Sequence, residues 1–248
     1  MDLFTRWLDL LDERHRRDLT FQEVRRGVQA LSSLYVERRN RLGRGAALDG
    51  AGKRAAFATY FGPLHFLLVR SIVQGLAATG RPFGSLLDLG CGTGVAGAAW
   101  ASESKPSPRV IGIERNPWAA REAGWTYGVF GLDGTTRALD MNTFKAPSGH
   151  AIIAAFILNE LPEEARERWR SSMLACAERG SPILVIEPIA KKLSPWWDDW
   201  AKTFVAAGGR SDEWRFRIDL PERLALMDKA SGLDHRELTG RSLWLAGK

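Results

Sequence analysis

The stretch Leu86-Leu87-Asp88-Leu89-Gly90-Cys91-Gly92-Thr93-Gly94 constrains the fold more than any other part of this chain. Leu86, Leu87 and Leu89 read as a buried strand, and the alternating glycines read as a tight turn that feeds a helix. Glycine admits positive φ and lets a ligand lie against bare backbone. Two related loops fail on spacing. A dinucleotide-binding turn asks for G-x-G-x-x-G, and position 95 is Val. A phosphate-binding P-loop asks for G-x-x-x-x-G-K-[ST], and no Lys follows Gly94. The plain alternative is a Gly-rich turn in which Asp88 merely caps the helix.

An Asp two residues before G-x-G-x-G resembles motif I of the class I S-adenosylmethionine-dependent methyltransferases. The resemblance implies that S-adenosylmethionine is the cofactor, with its methionine and ribose parts on the backbone of Gly90, Cys91, Gly92 and Gly94. It also implies that Asp88 receives the amino group of the cofactor, directly or through water. The fold implied is α/β and Rossmann-like, a mostly parallel sheet of seven strands with helices on both faces and the last strand antiparallel. Periodicity alone gives only α/β.

The chain has 248 residues, 45% of them hydrophobic, which suits one α/β domain with a helical addition. No apolar run reaches the roughly 18 residues that span a bilayer, and the first residues lack signal-peptide order, so no membrane partner and a cytoplasmic location are expected. Cys91 and Cys176 are too few for a disulfide framework or a four-thiolate centre. His15, His65, His150 and His235 form no ligand pattern, so no metal is expected. The net charge is +6, and residues 1–54 carry 12 Lys/Arg against 8 Asp/Glu, or +4 of it. A basic front on a near-neutral remainder suggests a polyanion such as RNA, although mixed-sign amphipathic helices give the same balance.

Residues 3–17 place Phe4, Trp7, Leu8, Leu10 and Leu11 at helical spacing. Thr20-Phe21-Gln22-Glu23 is a capping box that opens a helix to about Arg41, with Val24, Val28, Leu31, Leu34 and Tyr35 as its stripe. Gly43 to Gly52 is the expected hinge, giving a helical extension over 1–52 and a cofactor domain over 53–248. A helix over 53–78 is expected to break at Gly62-Pro63. Strands are predicted at 85–89, 109–113, 135–139, 150–156 and 182–187, then at 213–219 or 234–238, and at 241–246. Pro117, Pro162, Pro195 and Pro221 are expected as first helical residues, with Gly180 and Gly232 past helix ends.

Ligands of such sheets bind beyond the carboxyl ends of the strands. Glu114 closes the second strand, 26 residues after Asp88, where a carboxylate can accept both ribose hydroxyls; a structural salt bridge is its plain reading. Arg115 and Asn116 follow and face the adenine edge in this reading. By similarity, Asp140 takes the adenine amino group and Met141 packs on the ring. Tyr60 and Phe156 are the aromatic candidates for the cofactor site. Asn159, Glu160 and Glu187 are candidate catalytic or acceptor-positioning residues, although Glu160 and Glu163 equally suit a helix N-terminus. The Asn/Asp-Pro-Pro-aromatic tetrad of amino-group methylation is absent. Trp197, Trp200, Ala201 and Phe204 share one helix face, which points to core packing ahead of base stacking.

Tyr60-Phe61, the segment Leu158-Asn159-Glu160-Leu161-Pro162 and Val185-Ile186-Glu187-Pro188 together resemble the mitochondrial small-ribosomal-subunit methyltransferase-like family and its bacterial relatives, over residues 53–192. That resemblance implies ribosomal RNA or the small ribosomal subunit as partner, and a methyltransferase whose acceptor is RNA or a ribosomal component. Many members carry a cysteine cluster for a metal or iron–sulfur centre, and two cysteines cannot supply one. The alternatives are a non-catalytic, cofactor-binding assembly factor and a small-molecule methyltransferase with a helical lid.

Overall fold

The computed structural model describes residues 2–37, 48–80, 82–145 and 147–247. The chain divides into two compact units, one of residues 1–65 with 217–238, the other of residues 66–216 with 239–248.

In the first unit, α1 (Leu3–His15) starts at Asp2, whose carboxylate accepts the Thr5 N–H, and buries Phe4, Trp7, Leu8 and Leu11. The capping box forms: Glu23 accepts the Thr20 N–H at 2.8 Å and Thr20 Oγ1 accepts the Glu23 N–H at 3.3 Å, opening α2 (Phe21–Glu37). Val24, Val28 and Leu31 of its stripe are buried. The Leu34 and Tyr35 side chains, the expected extension to Arg41 and most of the Gly43 to Gly52 hinge lie outside the described residues.

The expected break at Gly62-Pro63 is not one. A helical run spans Ala51–Gly75, as α3 (Ala51–Ala56), a π-helical turn (Phe57–Phe61) and α4 (Gly62–Gly75). Proline inside a helix clashes with the carbonyl four residues back. The wider π turn, in which Gly62 N–H bonds the Phe57 carbonyl, precedes Pro63 and lets the helix continue. This run is long and apolar enough in composition to cross a membrane, contrary to the expectation from the sequence, and 72% of its most apolar window is buried in the protein. The segment 217–238 adds α9 (Glu222–Ala230) to the first unit. Its Arg223 pairs with Asp9 and, at 3.3 Å, with Asp12 of α1.

The second unit holds the body of a seven-stranded sheet in the order β3-β2-β1-β4-β5-β7-β6. The strands are β1 (Ser85–Leu89), β2 (Arg109–Ile113), β3 (Gly134–Arg137), β4 (Ala151–Ala155), β5 (Ile183–Glu187), β6 (Arg210–Arg217) and β7 (Glu237–Leu245). The first five run parallel and β7 pairs antiparallel with β5, as the resemblance implies. Helices α5 (Val95–Glu103), α6 (Pro117–Val129), α7 (Glu163–Glu178) and α8 (Trp197–Ala206) connect them.

Several boundaries shift. The third strand starts and ends earlier than expected, and the last two are longer at their starts. Pro117 is the first residue of α6, behind the Asn116 cap. Pro162 and Pro221 stand one residue outside their helices with extended ψ of 151° and 141°, because proline fixes φ and leaves ψ free. Pro195 precedes α8 by two residues. Gly180 and Gly232 take positive φ past α7 and α9. Trp197, Trp200 and Phe204 lie in one apolar cluster with Ile183, Val185 and Leu243, so the α8 aromatics are core.

Candidate functional site

The strand order reverses between β1 and β4, so a crevice opens beyond their carboxyl ends. The glycine loop leaves β1 there. The Cys91 N–H bonds the Ile113 carbonyl at 3.0 Å, and the Gly94 N–H bonds the Cys91 carbonyl at 2.7 Å. Gly90, Gly92 and Gly94 have φ of 59°, 53° and 81°, a region closed to most side chains. Gly90 has a second reason to be glycine: a Cβ there would come within 2.2 Å of Ile157, from the segment after β4. The turn and the end of β4 therefore meet at van der Waals distance.

Asp88 does not face the crevice. Its carboxylate is 1% exposed and lies beneath the loop, where Oδ2 accepts the Gly97 N–H at 2.9 Å and the Tyr127 O–H at 3.0 Å. The capping reading of Asp88 is thus part of the answer, because Gly97 lies in the first turn of α5. Direct receipt of a ligand's amino group does not fit this position, which leaves the water-mediated alternative. Burial, helped by the charge of Glu114, pushes its carboxyl up to about 7 against the pull of its two donors. Cys91 is buried, and burial with the same acids pushes its thiol well up.

Glu114 sits at the loop. One carboxylate oxygen accepts the Gly92 N–H at 3.1 Å and the other the Asn116 N–H at 2.7 Å. Arg115 beside it is exposed. Asn116 caps α6 through the Trp118 and Ala119 amides. Asp140 accepts the Asn142 N–H at 2.8 Å in a tight turn after β3. The Met141 side chain joins the apolar core with Leu89 and Ile113, and its carbonyl accepts the Trp169 indole N–H at 3.0 Å.

At the end of β4, Phe156 takes φ of 61°, a left-handed conformation rare for a bulky residue, with its N–H on the Ile186 carbonyl at 2.8 Å. Asn159 and Glu187 are brought together. The Asn159 amide nitrogen donates to one Glu187 oxygen, its backbone N–H lies 3.3 Å from the other, and its Oδ1 accepts the Trp196 indole N–H at 2.9 Å. Glu187 is fully buried and faces Arg241 across the β5–β7 pairing. Arg241 lies 4.3 Å over the Trp197 ring, and burial lowers its pKa although Glu187 opposes the shift. Glu160, in the turn Leu158–Glu160, is exposed.

Tyr60 belongs to the first unit. On the π turn, its hydroxyl donates to Asp228 at 2.5 Å and lies 3.0 Å from His235 Nδ1. Burial lowers the nearby His65 to about 4, helped by His235. No group of three or more metal-ligating side chains occurs among the described residues.

The sequence gives no site role to Tyr127, Gly97, Gly112, Arg241 or Asp228, and it offers His235 only as one of four scattered histidines. Only Gly97 and Gly112 carried a signal, being glycines inside a helix and a strand, where close approach of another group is the usual cause.

Among solved structures, the chain resembles the mitomycin 7-O-methyltransferase MmcR, with 15% identity and a TM-score of 0.52 over 88% of this chain and 60% of that one. It resembles the plantazolicin methyltransferase BpumL in complex with SAH at 13% and 0.53, over 96% and 100%. An O-methyltransferase family protein from Burkholderia thailandensis matches at 14% and 0.50, over 82% and 61%. The chain thus spans about three fifths of the length of the first and the third. No family model and no curated protein matches it. The chain has the Rossmann-like fold that these methyltransferases share.

Proposed function

We propose that this chain is an S-adenosylmethionine-dependent methyltransferase whose acceptor is RNA or a ribosomal component. The observation that carries the reading is the placement of Glu114. A carboxylate stands at the amide of Gly92, on a glycine loop at the point where strand order reverses, and offers two acceptors to a ribose diol. The loop fits the donor, because three glycines in left-handed conformation leave bare backbone for its methionine and ribose parts. Asp140 and Arg115 are assigned to the adenine end, and Phe156 to the ring-packing wall. Met141 contributes through its backbone, since its side chain is core. Tyr60 enters by the family resemblance alone.

When bound, S-adenosylmethionine would supply an activated methyl group for in-line transfer to the acceptor, with S-adenosylhomocysteine as the leaving group and any acceptor proton passing to solvent or a base. The protein's task is alignment. Asn159 and Glu187 hold each other and fix the segment after β4, so their role here is positioning. Glu160 is assigned to the acceptor side. The resemblance of the Asn159-Glu160-Leu161-Pro162 segment to the small-ribosomal-subunit methyltransferase-like family and the basic charge of residues 1–54 support an RNA acceptor.

Calorimetry with S-adenosylmethionine and S-adenosylhomocysteine tests the donor, and labelled-methyl uptake into small-subunit RNA tests the acceptor. Saturable heat from both ligands and label in RNA are expected, with ligand affinity and label both lowered in Glu114→Ala. No heat from either ligand overturns the reading. Binding with no transfer to any acceptor pool selects the assembly factor. Transfer to small phenolic or heteroaromatic acceptors and none to RNA selects a small-molecule enzyme, the kind of activity named for MmcR. Neutralising the exposed Arg6, Arg14, Arg17 and Arg26 is expected to lower the slope of RNA affinity against salt.

A further inference from the structure

We propose that Tyr127 is a positioning residue for the donor loop: its O–H holds the Asp88 carboxylate in its charged, accepting form under the loop and so sets the pH below which donor affinity is lost. The inference rests on the donor reading above and concerns how that site is regulated.

The first observation is a slot built for the Tyr127 side chain by glycines from three different elements. A Cβ on Gly94 of the loop would lie 2.9 Å from Tyr127 Cε1. One on Gly112 of β2 would lie 2.9 Å from the Tyr127 hydroxyl, and one on Gly134 of β3 would lie 2.4 Å from Tyr127 Cβ. Gly112 is also the sheet partner of Asp88. Any side chain at these positions would push the phenol off the carboxylate. The third glycine of the motif therefore serves the phenol as well as the turn.

The second observation is what the phenol meets at the end of that slot. Tyr127 is fully buried, and its hydroxyl lies 3.0 Å from Asp88 Oδ2, the same oxygen that accepts the Gly97 N–H. A further glycine makes the approach possible, since a Cβ on Gly97 would lie 2.5 Å from that oxygen. Asp88 thereby ties β1, the start of α5 and α6 together under the turn. The titratable and charged groups that face Asp88 are Tyr127 from α6, Cys91 from the loop and Glu114 from the end of β2. Burial and the neighbouring acids keep the phenol and the thiol protonated, so the carboxylate is the member of this cluster that changes charge near neutrality. Protonating it weakens both hydrogen bonds and removes a negative charge from beneath a loop that is to hold the ammonium-bearing methionine part, which S-adenosylhomocysteine shares with the donor. Without the phenol, one of its two donors is lost and the carboxylate takes up a proton at higher pH.

The test is calorimetric affinity for S-adenosylhomocysteine between pH 6 and 9, on the full chain and on Tyr127→Phe, Asp88→Asn and the double variant. Folding of each is verified by circular dichroism. The parent is expected to lose affinity as pH falls through about 7. Tyr127→Phe moves that fall upward by about one pH unit, the worth of one hydrogen bond to a carboxylate. Asp88→Asn flattens the profile, and adding Tyr127→Phe to it has little further effect, because the phenol acts through the carboxylate. Superimposable profiles for the parent and Tyr127→Phe overturn the proposal and leave the donor reading standing. If Tyr127→Phe does not fold, a profile that keeps its shape in Asp88→Asn overturns it equally. Absence of binding by the parent at every pH overturns the donor reading and this inference with it.

Discussion

Glu114 and Gly92 meet across 22 residues of sequence, a carboxylate oxygen of the one lying 3.1 Å from the amide nitrogen of the other. The contact joins the end of β2 to the middle of the glycine turn, and in the function proposed above this carboxylate is the acceptor for the ribose diol. Glu114→Ala is expected to weaken S-adenosylhomocysteine binding by about 10- to 100-fold, the loss of one or two charge-assisted hydrogen bonds. Glu114→Gln retains one acceptor and is expected to fall between. Calorimetry at fixed pH distinguishes the two.

Gly90→Ala is expected to destabilise the protein by about 1–3 kcal/mol, since the new methyl group meets Ile157 and the backbone keeps a positive φ. Ile157→Ala should relieve the collision and not the φ strain, so the double variant recovers only part of what Gly90→Ala loses. Urea midpoints of the three variants measure this.

Asn159→Ala removes one side-chain donor from the buried Glu187. A loss of about 2 kcal/mol in unfolding free energy is expected. Asn159→Asp puts two carboxylates together, and its deficit should shrink at acid pH as one of them takes up a proton.

Asp88 is raised from an ordinary 3.8 to about 7, mainly by burial. Between those values the folded chain binds a proton that the unfolded chain has released, so this group's contribution to stability falls as pH rises across that window. In the ligand-free protein, Asp88→Asn removes this dependence. Its melting temperature relative to the parent is expected to climb from about pH 4 to 7 and to level off above.

Asp228 moves the other way. Burial raises its carboxyl, but the Tyr60 O–H, the His235 amide and the His235 ring together outweigh burial, and the net shift is downward. Its stabilisation is present above the ordinary carboxylate range and lost as pH falls through the lowered folded value. Tyr60→Phe removes one of these donors and is expected to cost about 1–2 kcal/mol near neutrality, with a smaller deficit in acid. Denaturant titrations at two pH values measure it.

Local chemistry was the legible part. The β1 turn, the Thr20–Glu23 box, the start of α6 at Pro117 and the helix-ending Gly180 each follow from residues within a few positions of one another. The parallel core was legible too, because strands covered on both faces are continuous apolar runs such as Ile183 to Ile186. What stayed hidden depends on distance. Residues 217–238 join the N-terminal helices through pairs such as Arg223–Asp9, and nothing local announces a partner 214 residues away. The π turn before Pro63 answers a clash by widening the helix, where proline alone reads as a stop. At the candidate site, the glycines were legible as a loop, whereas their second use as space for Tyr127 and Ile157 was not. Spacing conveys that a residue is small and leaves unsaid which neighbour needs the room.

Phe156 carries a backbone shape that glycine would adopt at no steric penalty. The positive φ turns the chain out of the extended geometry of β4 at its carboxyl end, while the Phe156 N–H still bonds the Ile186 carbonyl. Exchange of Phe156 for glycine would relax the main chain there and remove the ring at the same time, so the backbone strain and the side chain are lost together.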